Sequence, residues 1–237
     1  MSAIYPYCVN GDVSALNQHR TYGANSKPTL TQIKQFMLEI ASQIKAICDV
    51  AGYDTDNFHS ITSTIADAIT AGDDQTVNVA SGDGSSFVKG DLIKIEGLTS
   101  GVRAWEFTEI EGISTDTLTI DAANSYDASS VTVYVVNDAL NSLRSINAIG
   151  AAWKAEEAAF MGVSPNQSDH AEKLKELYFG NGENMSGLWA IMNIPGFLVG
   201  ATTDTEAAVK RSTIDSYGIQ NETDSDVKAK FEIDEDW

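Results

Sequence analysis

Three histidines, two cysteines and several acidic doublets are the residues of this sequence best able to do chemistry, and their spacing argues against each chemistry in turn. His19, His59 and His170 stand far apart, and none has a second His or a Cys at metal-ligand spacing. Each is therefore expected on the surface rather than at a metal. Asp54-Thr55-Asp56-Asn57 opens like a calcium loop but lacks the required Gly and the closing Glu. Gly82-Asp83-Gly84-Ser85-Ser86 has the glycines of a phosphate cradle without the Lys that would follow, and it lies between strand-like runs. A hairpin turn is the expectation there. Asp73-Asp74 and Asp234-Glu235-Asp236 read as solvated charge, and no Ser, His and Asp set can be assembled. The expectation is no catalytic, cofactor or metal site. Cys8 and Cys48 are too few for a disulfide scaffold, and Cys48 falls on an apolar helix face; free buried thiols are expected, with a Cys8–Cys48 bridge as the alternative.

The elements that would position these residues are easier to read. Ile33, Phe36, Met37, Ile40, Ala41, Ile44, Ile47, Cys48 and Ala51 recur at spacings of three and four, one face of a helix over Thr29–Gly52. Thr29 and Gln32 have the spacing of a capping box, and Gly52 suits the left-handed residue beyond a helix end. Asn10 is expected to cap a short preceding helix carrying Val13 and Leu16. Residues 57–71 read as a further helix through Ile61, Ile65, Ala68 and Ile69.

From Gln75 to Val136 the pattern changes to period two, broken by turn residues, which predicts several short strands. Leu92, Ile93, Phe107, Ile110, Leu118, Ile120, Val131, Val133 and Val135 are candidates for their core. Helix resumes with Asp138 as the expected N-cap. Ala148, Gly150, Ala151 and Ala152 would let the Thr29–Gly52 helix approach closely. Ser168 is expected to cap another helix ending at Gly180, followed by a last apolar stretch to Pro195-Gly196.

The fold class is thus α+β: a helical bundle (1–72 with 138–200) interrupted by a small antiparallel β-barrel or sandwich (73–137) that should be removable without unfolding the helices. An extended acidic C-terminal arm (201–237) follows. That arm holds ten acidic and four basic residues, too polar for its own core. Two readings fit it, a disordered tail and a segment that orders on a partner; its spaced apolar residues favour the second.

With 34 acidic and 15 basic residues the formal charge is −19, which opposes any role that grips phosphates. The opening residues carry no basic, apolar leader pattern, and no stretch approaches the roughly 20 apolar residues of a membrane helix.

The succession Tyr7-Cys8-Val9, Asp12-Val13, Leu16, then Thr29-Leu30-Thr31-Gln32-Ile33, Phe36, Ile40, Ile44 and Gly52-Tyr53 resembles the opening of tailed-bacteriophage head–tail connector (adaptor) proteins. Leu143, Ile146, Asn147, Ala148, Gly150, Ala151 and Ala152 resemble that family's second signature, a helix rich in small residues around an Asn-Ala. The runs SFVKGDLIKIEG and EFTEIEGISTDTLTIDAA are similar to a β-module recurrent in phage structural proteins. Two features depart from the adaptor pattern: the β-insertion lengthens the chain, and Val9 stands where Thr is usual, removing a local cap.

The resemblance implies a homo-oligomer, a dodecameric ring docked beneath the portal protein and touching further neck or tail proteins. DNA would pass without specific binding, and the location would be a virion assembled in the host cytoplasm. The C-terminal arm would dock on the portal, with Val209, Ile214, Tyr217, Ile219, Phe231 and Trp237 as its anchors. The alternative is a decoration or fibre component whose β-module binds capsid or glycan. Trp105, Phe107 and Tyr134 would then face solvent, whereas the adaptor reading puts them mostly in the module core. A third reading is an enzyme with an unrecognised site.

Overall fold

A computed structural model describes residues 5–50, 62–160, 169–180 and 186–193. Four helices flank a six-stranded sheet in an α+β arrangement. Helix α1 spans Asn10–Leu16 and α2 spans Leu30–Val50. Strands β1 (Thr62–Ile65), β2 (Gly72–Asn78), β3 (Leu92–Thr99), β4 (Val102–Ser114), β5 (Thr117–Ala122) and β6 (Val131–Val135) follow. Helices α3 (Asp138–Phe160) and α4 (Asp169–Phe179) come next, then a 3₁₀ turn over Gly187–Asn193.

The apolar stripe of α2 is buried as its spacing predicts: Ile33, Met37, Ile40, Ala41, Ile44 and Cys48 are all fully inaccessible. Thr29 and Gln32 form the expected reciprocal cap, with Thr29 N–H donating to Gln32 Oε1 at 2.8 Å and Gln32 N–H to Thr29 Oγ1 at 3.3 Å. Helix α3 packs against α2 through its small residues. A Cβ on Gly150 would lie within 3 Å of Tyr178 on α4 and Ile40 on α2, so three helices converge there only because the position has no side chain. Gly180 closes α4 at φ +63°, its N–H bonded to Glu176 O.

Two caps differ from expectation by one residue each. Val9, not Asn10, precedes α1. Its own side chain can cap nothing, and Asp12 compensates by accepting the Val9 N–H at 3.0 Å. Asn137, not Asp138, caps α3, its Oδ1 accepting the Leu140 N–H at 2.8 Å.

The expected helix over 57–71 does not form where the structure describes it. Residues 57–61 lie outside the described residues, Thr62–Ile65 are strand β1, and Ile69 bridges Tyr126. Thr62-Ser63-Thr64-Ile65 is rich in β-branched side chains, and its partner strand β6 is remote in sequence, which a local reading of Ile61, Ile65 and Ile69 does not see. Strand structure therefore begins inside the stretch that the sequence assigns to the helical unit.

The sheet is antiparallel in the order β1-β6-β3-β4-β5-β2. Strand β4 turns its corner. Val102–Glu109 pair with β3, and Ile110–Ser114 pair with β5, with a register shift between Ile110 and Gly112. The sheet curls into a half-barrel, and a single bridge from Ile65 to Val79 links its two edges. Ile93, Ile95, Ile110, Leu118, Ile120, Val131 and Val133 fill the inside. Of the candidate core residues, Leu92 is instead exposed, and Phe107 and Val135 are half-buried. The hairpin turn expected at Gly82–Ser86 is instead a 3₁₀ turn, Asp83–Ser86, joining β2 and β3, which do not pair, and its glycine is steric: a Cβ on Gly84 would sit 1.9 Å from Thr115 O. The segment 201–237 lies outside the described residues.

Candidate interaction surfaces

The outer face of the sheet is where the two halves of the molecule meet. Alternation along β3 sends Ile93 and Ile95 into the half-barrel and Lys94 and Glu96 outward. Pairing across the sheet then sets Tyr134 and Phe107 beside Lys94, and Thr132 and Trp105 beside Glu96. That face would normally be solvated, but the N-terminal segment lies over it. Tyr5 OH donates to Gly97 O at 3.1 Å, and the Trp105 indole N–H donates to Cys8 O at 2.7 Å. Trp105 joins the helical core cluster of Cys8, Val13, Met37 and Ala151. Trp105, Phe107 and Tyr134 are therefore neither solvent-facing nor barrel core; they form the joint between sheet and helices. Their placement does not separate the adaptor reading from the glycan-binding one.

Lys94 is a fully buried cation in this joint, paired with Glu96 and 5.6 Å from the Tyr7 ring centroid. Burial holds its pKa below the ordinary lysine value, against the opposing pull of Glu96. Burial also pushes the Cys8 thiol up, with Asp12 adding to the effect, so this cysteine is inert rather than nucleophilic. Both cysteines are free and buried.

Asn147 ties the helices to the N-terminal segment. Its Oδ1 accepts the N–H groups of Tyr7 at 2.8 Å and Cys8 at 3.2 Å, and its Nδ2 donates to Met37 O at 3.0 Å. One turn earlier, Arg144 makes a two-pronged contact with Asp12, at 2.8 and 2.7 Å, while its guanidinium stacks 4.0 Å from the Phe107 ring. A single arginine thereby joins α1, α3 and β4.

His19 and His170, remote in sequence, are neighbours in space, with ring centroids 5.5 Å apart. His170 Nε2 faces two acceptors, Leu16 O at 3.2 Å and Asn17 Oδ1 at 3.0 Å, so this nitrogen carries the proton. His19 contacts Glu156 Oε1 at 3.1 Å, and Arg20 reaches both Glu156 oxygens at 2.5 and 3.1 Å. Burial alone would raise the pKa of Glu156, but the hydrogen bonds from Arg20 and His19 outweigh it and hold it below the ordinary carboxylate value. The sequence gives no sign of this cluster, since only the fold brings the segment after α1 together with α3 and α4.

Glu111 lies on the exposed sheet surface. Its pKa is raised chiefly by Asp121, with Asp74 and Glu109 contributing, so negative charge gathers there. Among the described residues no group of three or more His, Cys, Asp or Glu could hold a metal ion, and no helix is long and apolar enough to cross a membrane. His59, Asp54–Asn57, Asp234–Asp236 and all six arm residues (Val209, Ile214, Tyr217, Ile219, Phe231, Trp237) lie outside the described residues. Sequence reading also missed that Leu177 and Phe179 in the last turn of α4, and Trp189 in the 3₁₀ turn, are about half exposed.

No family model matches the chain, and no curated protein matches it. Among solved structures it is similar to the Gp54 tailspike of Acinetobacter baumannii bacteriophage AP22, solved in complex with A. baumannii capsular saccharide. The identity is 26%, over 31% of this chain and 14% of the tailspike's length, with a TM-score of 0.26. A likeness at that TM-score carries no argument about function.

Proposed function

We propose that this protein is a structural adaptor of a phage virion neck, forming a ring that docks on the portal and continues the DNA channel towards the tail. The observation that supports the reading is the meeting of the two stretches that resemble head–tail connectors. They are separated in sequence by the whole sheet, yet Tyr7 and Cys8 from the first bond to Asn147 of the second, and Asn147 bonds back to Met37 of the first. The residues of the resemblance thus form one packed unit rather than scattered matches.

The formal charge of −19 suits a wall past which DNA must slide, because like charge repels the phosphate backbone and no cluster of Lys and Arg is needed. In this reading the arm, through Val209, Ile214, Tyr217, Ile219, Phe231 and Trp237, supplies apolar and aromatic anchors for the portal. The direct test is capture on immobilised portal protein from the same phage. The full chain should be retained and a chain ending at Gly200 should not. Equal capture of both would remove the arm from the docking contact, and no capture of either would remove the portal.

A further inference from the structure

Lys94 is buried deeper than its partner: the side-chain exposures are 1% for Lys94 and 13% for Glu96. An ammonium carries three donors. Among the described residues Glu96 is its one hydrogen-bond acceptor, and the Tyr7 ring faces the charge at 5.6 Å. A buried ion pair so sparsely bonded recovers little of what its desolvation costs, and hydration would release that cost.

The cover over this pair is the segment Tyr5–Val9. It is held to the sheet by Tyr5 OH on Gly97 O and by the Trp105 indole on Cys8 O, and to α3 by Asn147 Oδ1, which accepts the Tyr7 and Cys8 amides. Beyond the segment the chain is anchored separately, because Val13 of α1 is fully buried and Asp12 is gripped by Arg144. Val9, between the two, is extended at φ −114° and ψ 166°, and its side chain caps nothing. The segment can therefore pivot at Val9 while α1 stays in place.

We propose that Tyr5–Val9 is a strap, biased by the buried Lys94–Glu96 pair to lift from the sheet while the half-barrel and the helices stay folded. Lifting opens Lys94, Trp105 and Tyr134 to water and loosens the joint without unfolding either half. The proposal goes beyond the neck reading, and its test needs no portal.

Cys8 reports the motion. Its thiol is fully inaccessible in the closed strap, and burial holds it in the unreactive protonated form. Cys48, equally inaccessible, lies in α2 and reports opening of the helical core. The test is alkylation of the folded full chain with iodoacetamide, read at each cysteine by peptide mass spectrometry across low urea concentrations. In the parent, Cys8 should be labelled at least about tenfold faster than Cys48 and with a weaker dependence on urea, because local opening exposes less surface than unfolding. Glu96→Gln leaves the cation buried and unpaired, and should speed labelling of Cys8 about tenfold. Adding Lys94→Met to that variant removes the charge as well and should reverse the sign, slowing Cys8 to below the parent rate. Equal rates and equal urea dependence at the two cysteines would overturn the proposal. So would a double variant labelled at Cys8 as fast as the parent or faster.

Discussion

Gly150 offers the sharpest test of the packing. An alanine there would place its Cβ 2.7 and 2.8 Å from Tyr178 Cε2 and Cδ2 and 2.9 Å from Ile40 Cγ2. Carbon atoms prefer about 3.5–4.0 Å, so all three contacts are short by roughly 1 Å. Neither neighbour can yield cheaply. Ile40 is fully buried, and the Tyr178 ring is stacked 5.7 Å from Trp153 with its hydroxyl bonded to Gln43 Oε1 at 2.8 Å. Overpacking of this kind costs about 1–3 kcal/mol. The better helix propensity of alanine returns about 1 kcal/mol. Gly150→Ala should therefore be destabilised by about 1 kcal/mol net, and Gly150→Val by more. Gly11 in α1 is the matched control, because a Cβ there meets nothing within 4 Å. Gly11→Ala should gain up to about 1 kcal/mol. Urea unfolding followed by circular dichroism reads both. A Gly150→Ala protein as stable as the parent, or more so, would refute the close approach of α2, α3 and α4.

Ile40→Ala and Ile44→Ala remove fully buried side chains and should each cost about 2–5 kcal/mol in the same assay. Glu39→Ala, whose partly exposed pair with Lys154 spans 2.5 Å, should cost less than about 1 kcal/mol. Glu156, with its pKa lowered by Arg20 and His19, contributes stability that is present above the ordinary carboxylate value of about 4.3 and lost as pH falls through its folded value. Glu156→Gln should therefore flatten the acid side of a stability–pH curve. Glu106 has its pKa raised, mainly by burial, and acts oppositely: its stabilising effect is present in acid and lost as pH rises through the raised value, and Glu106→Gln should remove that loss. Trp105→Phe keeps a ring but leaves Cys8 O without its indole donor, at a cost of about 1 kcal/mol. Replacing residues 62–136 by a short linker should lower the thermal midpoint of the helices, because it strips the sheet from Tyr5, Tyr7 and Arg144. Unchanged helical melting would show the sheet to be separable after all.

What the sequence revealed and what it hid divide along physical lines. The α2 stripe, the capping box at Thr29 and the glycine at Gly180 were legible because each is a local device within one or two turns. Strand β1 was not, since its four residues owe their conformation to pairing with remote Val131–Tyr134. Period two showed two faces on β3 but could not say that Lys94 and Glu96 would be covered by the N-terminal segment. Trp105 and Phe107 were misassigned for the same reason. Asn147 stood out only through the family resemblance; its three hydrogen bonds account for an Asn there. The His19–His170–Glu156 cluster left no sequence signal at all.

The central claim, a ring built of this chain, is tested most directly by the native mass of the full-length protein mixed with the portal of the same phage. The account predicts a complex carrying a closed set of copies of the 25.4 kDa chain on each portal, many rather than one. A portal that carries a single copy, or a chain that stays a 25.4 kDa monomer beside an unoccupied portal, would contradict it.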